Sequence, residues 1–245
     1  MSPDASSQAM VERYVAVRER LRTAALNAGR SPEDVRLVAV SKFHPAASVA
    51  VVAAAGQVHF GENYVQEALK KQDDLRRLDL CWHFIGHLQS NKAREVAGRF
   101  ALVHTVDSLK LAQELSRRME THAPRRADEG IAVQDILLQV NIGEEEQKSG
   151  IDRQSLFALA DAVVALPNLR LQGLMGMPPF FDDGERARPY FAALRELHEA
   201  LCTRLAVALP HLSMGMSGDC VQAVEEGATI VRIGTDIFGA RPARI

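Results

Sequence analysis

Leu37-Val38-Ala39-Val40-Ser41-Lys42 is the first strongly β-like stretch of the chain, and the fold turns on how it is read. An apolar run without polar alternation is covered on both faces, as parallel strands are inside α/β architectures. Working outward, the strand beginning at Val35 is followed by seven more short apolar stretches. They are Val58 to Gly61, Leu80 to Ile85, Leu102 to Val106, Asp135 to Val140, Leu169 to Gly173, Leu212 to Gly215 and Ile230 to Ile233. Helical stretches separate them, starting near Ala47, Tyr64, Lys92, Ser108, Asp152, Arg186 and Asp219. Ser108 and Asp152 are good N-cap residues. Ahead of the first strand, Met10, Tyr14, Val17, Leu21, Ala24 and Ala28 recur at helical spacing, predicting an amphipathic helix that ends near Gly29. Eight strands alternating with helices in 245 residues predict one α/β domain over residues 1–245. That domain is a (β/α)8 TIM barrel with an extra N-terminal helix and flexible residues 1–8. An open doubly wound sheet is the competing arrangement, but no GxGxxG follows the first strand.

Composition narrows the function. The chain is 47% hydrophobic with a net charge of −2, so no basic surface announces nucleic acid or an anionic membrane. No apolar run approaches the roughly 20 residues of a membrane span, and Met1 to Ser7 lack the regions of a signal peptide. Cys81, Cys202 and Cys220 are odd in number and widely spaced, without a CxxC pair. A reduced cytoplasm is the expected location, with no zinc site and no disulfide framework.

Lys42 ends its strand, where a lysine either snorkels into solvent or faces a cavity. A desolvated amine there loses its preference for the charged form and can add to an aldehyde as a Schiff base. Barrel phosphate sites often lie on the loops after the seventh and eighth strands. Here those loops read Ser213-Met214-Gly215-Met216-Ser217-Gly218-Asp219 and Arg232-Ile233-Gly234-Thr235. Glycines let backbone N–H groups approach an anion, and the hydroxyls add donors. Each turn alone is also an ordinary Gly-Ser loop. Arg232 either pairs with a carboxylate inside the barrel or points its fork at a ligand's ring or phosphate. A phosphorylated aromatic aldehyde on Lys42 describes pyridoxal 5′-phosphate.

Five segments carry a resemblance to a known family: Ala39-Val40-Ser41-Lys42, Phe60 to Glu67 (FGENYVQE), Trp82 to Lys92 (WHFIGHLQSNK), Leu212 to Ser217 (LSMGMS) and Val231 to Gly239 (VRIGTDIFG). They resemble the pyridoxal phosphate homeostasis proteins, which share the barrel of the alanine racemase N-terminal domain, and the likeness spans about Val35 to Arg241. The resemblance implies that Lys42 is the Schiff-base lysine and that Ser217, Gly234 and Thr235 contact the cofactor phosphate. It also implies that Arg232 faces the pyridine nitrogen, with Asn63, His83, Ser213 and Met214 near the cofactor. Asp236 departs from the family pattern, which usually has alanine; the acid either weakens anion binding or points to solvent. An arginine at the pyridine nitrogen disfavours ring protonation and weakens the electron sink. The expected function is cofactor homeostasis and supply without robust catalysis, by a monomer with apo-enzymes of the same cofactor as recipients and no nucleic-acid or membrane partner. Racemisation needs a second base on the opposite face, which alanine racemase takes from an additional domain. The barrel is expected to use essentially all of this chain.

A racemase-like enzyme of the same cofactor, a Schiff-base aldolase on phosphorylated sugars and a regulatory module that binds recipient enzymes are the competing functions. Other signals weigh less. His83 and His87 have helical metal-ligand spacing but sit on a strand end broken by Gly86, so His83 reads as a hydrogen-bonding group in the barrel mouth and His87 as a loop residue. Glu144 to Gly150 reads as a solvated loop or, through family matches at Asn141, Lys148, Ser149 and Gly150, as a lid. Met175, Met177, Met214 and Met216 read as barrel packing. Cys220 is a reactive thiol if a helix N-terminus lowers its pKa and otherwise a buried one.

Overall fold

The computed structural model describes residues 5–122, 133–145 and 149–240. Of residues 1–8, Ala5 to Gln8 form the first helical turns and Met1 to Asp4 lie outside the described residues, as do Lys148 and Arg241. Eight parallel strands close into a barrel in sequence order. They are β1 (Arg36–Val40), β2 (His59–Glu62), β3 (Cys81–Phe84), β4 (Leu102–Val106), β5 (Gln134–Val140), β6 (Leu169–Gly176), β7 (His211–Ser213) and β8 (Ile230–Ile233). The helices are α1 (Ala5–Asn27), α2 (Ala46–Ala54), α3 (Val65–Asp74), α4 (Ala93–Val96), α5 (Leu109–His122), α6 (Leu156–Val164), α7 (Arg188–Leu205), α8 (Cys220–Glu225) and α9 (Thr235–Phe238). The barrel and its N-terminal helix are therefore as expected.

The boundaries differ where local chemistry intervenes. β7 stops at Ser213 rather than Gly215, because Gly215 takes φ +89° and turns the chain out of the strand. α6 begins at Leu156 rather than Asp152, whose Oδ1 accepts the Ser155 N–H at 2.8 Å in the turn leading in. α7 starts at Arg188, behind a 3₁₀ turn over Gly184–Ala187.

Alternation along the strands divides two cores. Leu37, Ala39, Phe60, Phe84, Ile136 and Leu138 belong to the large core under the helices. Val38, Leu102, Leu137, Met175 and Ile230 form a separate, small cluster with Met177 against it. Bulky aliphatic layers usually fill such a barrel. Here His83, His104, Gln139, Ser213 and Arg232 are buried polar strand residues beside it.

α1 buries Met10, Tyr14, Val17, Leu21, Ala24 and Ala25. It packs chiefly on α8, α9 and α2. Arg13 Nε donates to Ile237 O at 2.9 Å, and Arg30 donates to Val224 O at 2.7 Å and Ala228 O at 2.9 Å. These bonds satisfy carbonyls in the two short helices behind the last two loops and in the turn after α8, so the extra helix and the residues just after it brace the turns.

Candidate functional site

Lys42 stands two residues past the end of β1 and is half-buried. Its neighbour Phe43 has φ +69°, a left-handed conformation that costs a bulky residue about 1–3 kcal/mol unless its surroundings impose it. They do. The Phe43 N–H donates to Glu67 Oε1 at 2.6 Å, and the buried Lys71 ammonium donates to Glu67 Oε1 at 2.7 Å, Glu62 Oε1 at 2.6 Å and Ser41 O at 2.7 Å. Ser41 Oγ donates to Glu62 Oε1 at 2.6 Å. Burial pushes the Glu62 carboxyl up, and the Lys71 charge opposes that shift. Residues on both sides of Lys42 are thus clamped by one buried ionic cluster.

Strand register sets what stands beside this lysine. Val40 pairs with Gly61 of β2 and Ala39 with Ile233 of β8. Lys42, two residues past Val40 and three past Ala39, therefore emerges between Asn63 and the turn that begins at Gly234. The amide oxygen of Asn63 is buried and has no hydrogen-bond partner. A Cβ on Gly234 would lie 3.1 Å from Val40 O, so glycine is what lets this turn sit close to β1. In the loop after β7, a Cβ on Gly215 would come within 2.5 Å of the Ala223 Cβ. Asp219 Oδ1 accepts the Met216 N–H at 2.6 Å, which folds the loop back, leaving Ser217 partly exposed and Gly218 in open space. Thr235 is exposed at the start of α9. The Asp236 carboxylate, still partly exposed, meets the Arg20 guanidinium of α1 at 2.6 Å, an ion pair the sequence alternatives did not include.

Arg232 is 4% exposed. It donates to Ser213 Oγ at 2.6 Å and Gly176 O at 3.2 Å, and no ion pair joins it to a carboxylate among the described residues. The carboxylate-partner reading is therefore not met. Burial lowers its pKa to about 10, with the Asp219 charge opposing, and it stays cationic at neutral pH.

Lys42, Asn63, Ser213, Ser217, Arg232, Gly234 and Thr235 thus gather at or just beneath the C-terminal ends of four consecutive strands, β7, β8, β1 and β2. The side chains of two expected members turn away from the mouth. Met214 packs in the core under the helices, with its N–H donated to Ile230 O at 3.0 Å. His83 lies inside the barrel rather than at its mouth, 1% exposed, with Nε2 3.0 Å from His59 Nδ1 and Nδ1 2.9 Å from His104 Nε2. His87 is an exposed loop residue, its Nδ1 3.2 Å from Ser149 Oγ, and no group of three metal-ligating residues exists among the described residues. Cys220 is buried and burial pushes its thiol up, which settles it as the inert alternative. Met175 and Met214 are packed, whereas Met216 is exposed beside a cavity of about 370 Å³ at the mouth that also touches Asn63, Gln139, Met177 and Phe180. Of the Glu144 to Gly150 segment, Glu145 O accepts from Asn141 Nδ2 at 2.9 Å and Ser149 O from Gln139 Nε2 at 2.9 Å.

Sequence reasoning missed Glu62, Glu67 and Lys71, and also His59 and His104. The period of two running back from Asn63 through Gly61 to His59 was the available signal for one of them.

Residues 14–242 match the family model described as alanine racemase, N-terminal domain. The chain is 50% identical over 234 residues to the pyridoxal phosphate homeostasis protein of Pseudomonas aeruginosa, covering 95% of this chain and 96% of that one. It is 45% identical to that of Aquifex aeolicus over 94% of this chain and 97% of the relative. PipY of Synechococcus elongatus, solved with PLP bound, superposes with a TM-score of 0.79 at 38% identity, covering 94% of this chain and all of that one, 100%. Alanine racemase of Clostridium difficile shares the fold, with a TM-score of 0.72 at 12% identity over 92% of this chain and 60% of its own. By identity, coverage and fold together, this chain belongs to the family of pyridoxal phosphate homeostasis proteins, within the alanine racemase N-terminal class of barrels.

Proposed function

We propose that this protein binds pyridoxal 5′-phosphate, holds it on Lys42 as a Schiff base and serves cofactor homeostasis and supply without robust catalysis. The observation that carries the reading is the adjacency of β2, β1 and β8, which sets an amine, a glycine-hydroxyl turn and a buried guanidinium side by side. The residues suit the group: Arg232 is a buried cation with no carboxylate ion pair among the described residues, Asn63 offers an unpaired buried oxygen, and Gly234 lets its turn close against β1 beside Lys42. When bound, the group supplies an aldehyde for imine formation and an electron-withdrawing ring.

Each residue then has a task. The Lys71 cluster aims Lys42 by fixing Ser41 and Phe43. Ser217, Gly234 and Thr235 take the phosphate, with Ser213 and the Met214 backbone behind them. Arg232 places a cation at the ring nitrogen and opposes its protonation, a setting that suits holding better than transamination. Three free cysteines fit a reducing cytoplasm, and no described helix is long and apolar enough to cross a membrane. Apo-enzymes of the same cofactor are the proposed recipients, and a monomer the proposed state.

Borohydride reduction of protein incubated with pyridoxal phosphate, followed by peptide mapping, is the test. The expected result is one modified peptide containing Lys42, and loss of the visible band in Lys42→Ala; modification elsewhere would overturn the assignment. The rival is a racemase-like enzyme, since the fold is shared with alanine racemase. Exchange of an amino acid's α-hydrogen at enzymatic rates would favour it.

A further inference from the structure

A column of imidazoles crosses the barrel interior. His59 of β2, His83 of β3 and His104 of β4 are joined by N···N contacts of 3.0 Å and 2.9 Å. His104 Nδ1 then lies 3.0 Å from Ser213 Oγ, which accepts from Arg232 at 2.6 Å. The column therefore runs from the half-buried first residue of β2 to the guanidinium proposed to face the cofactor ring.

All three rings are neutral. Burial lowers His59 to about 4, helped by Arg36 and His211. Burial also lowers His83 well below its ordinary value, with His59, Arg36 and His211 adding to it. His104 is likewise far below its ordinary value, through burial and then His83, Arg232, His211 and Arg36. The Arg36 and Arg232 cations both oppose protonation of the column.

A neutral imidazole has one donor and one acceptor nitrogen, so each N···N contact needs a proton on one side only. A mismatched pair would bury two donors or two acceptors against each other. Only two uniform registers satisfy every contact: protons on Nε2 of all three rings, or on Nδ1 of all three. In the first, the Ser213 hydroxyl donates to His104 Nδ1 and each ring donates onward, away from Arg232. Every dipole then turns its negative end toward the buried cation. In the second, the N–H dipoles point at it. Arg232 has no carboxylate partner, so the first register is the one its charge selects.

We propose that His59, His83 and His104 are positioning residues that act on Arg232 through Ser213, locked together in the Nε2–H tautomer so that the hydroxyl presents its lone pairs to the guanidinium. Their role toward the cofactor rests on the reading of Arg232 as ligand-facing; the locked column itself does not. The two can fail separately.

Imidazole ¹⁵N spectra of the labelled protein without cofactor test the column. The expected result is the neutral Nε2–H pattern at all three histidines, without titration from about pH 5.5 to 8. Ser213→Ala should change the tautomer populations at His104 and also at His83 and His59, which do not touch Ser213, and Ser213→Thr should restore them. Titration in that range, any other wild-type pattern, or an effect of Ser213→Ala confined to His104 would overturn the lock. With pyridoxal phosphate added, His59→Ala should move the pH midpoint of the bound chromophore by several tenths of a unit, about 0.5–1 kcal/mol by the usual conversion. An unmoved midpoint overturns the action on Arg232, and absence of any chromophore in the wild type overturns the cofactor reading while the ¹⁵N result still decides the column.

Discussion

Arg20 and Asp236 stand 216 positions apart in sequence and meet at 2.6 Å, so the N-terminal helix neutralises an acid beside the last turn of the barrel. Arg20→Ala leaves that acid uncompensated one residue from Thr235. Partly exposed pairs are worth about 0.2–1 kcal/mol, so affinity for pyridoxal phosphate should fall by roughly 2- to 5-fold. Titration calorimetry measures it, and the double variant with Asp236→Ala should recover the loss. Equal affinities for wild type and Arg20→Ala would dissociate the pair from the phosphate turn.

Lys71→Met strands two carboxylates, one of them fully buried Glu62. Breaking a buried pair by removing one partner costs about 3–5 kcal/mol, whereas replacing both partners is far milder. The melting temperature should drop by roughly 10 °C, and adding Glu62→Gln should recover part of it. A melting temperature within a degree or two of wild type would contradict the clamp.

Arg232→Met should behave in the opposite way. No carboxylate is left behind, since Arg232 bonds only a hydroxyl and a carbonyl in the structure. Stability should change by no more than about 1 kcal/mol. The pH response of the bound cofactor should change clearly if, as proposed, this cation opposes ring protonation. A variant that fails to fold would make Arg232 structural first.

The buried histidines predict a pH dependence of stability. His59, His83 and His104 have folded pKa values lowered by burial, as do His44, His198 and His211. Above about 6.5 both states are neutral; as pH falls below it, the unfolded chain takes up protons first and stability is lost. Each fully buried ring contributes up to about 1.4 kcal/mol per pH unit. The half-buried Glu114 and the exposed Glu185, held at about 2 by arginine neighbours, add to the loss only below about 4.5. Glu62, Asp107 and Asp219, raised by burial, work the other way but are fewer. Urea midpoints should therefore decline from pH 7 to 5, and a flat profile would show that these histidines take up protons within the folded barrel.

Much of the site was legible because its parts are local. An apolar run ending in Ser41-Lys42, and glycines beside hydroxyls after the last two strands, are patterns within a few residues of each other. Strand centres were found for all eight strands, since β-propensity and burial reinforce one another there. Boundaries slipped where one backbone angle or one side-chain cap decides them, as at Gly215 and Asp152. His83 was drawn to the mouth because its motif is read linearly, whereas the pleat and the short β3 set it a layer lower, between two other histidines.

Chain order was enough to specify a closed βα barrel with a lysine at one strand end and glycine-hydroxyl turns at two others, because apolar periodicity and backbone permissiveness are properties of neighbours along the chain. Which groups face one another across it was settled only on closure. Lys71 under Lys42, Arg20 against Asp236 and the histidine column leading to Arg232 join residues from different strands and helices. Their partners are chosen by register, twist and the exclusion of water, and none of these acts until the barrel has formed.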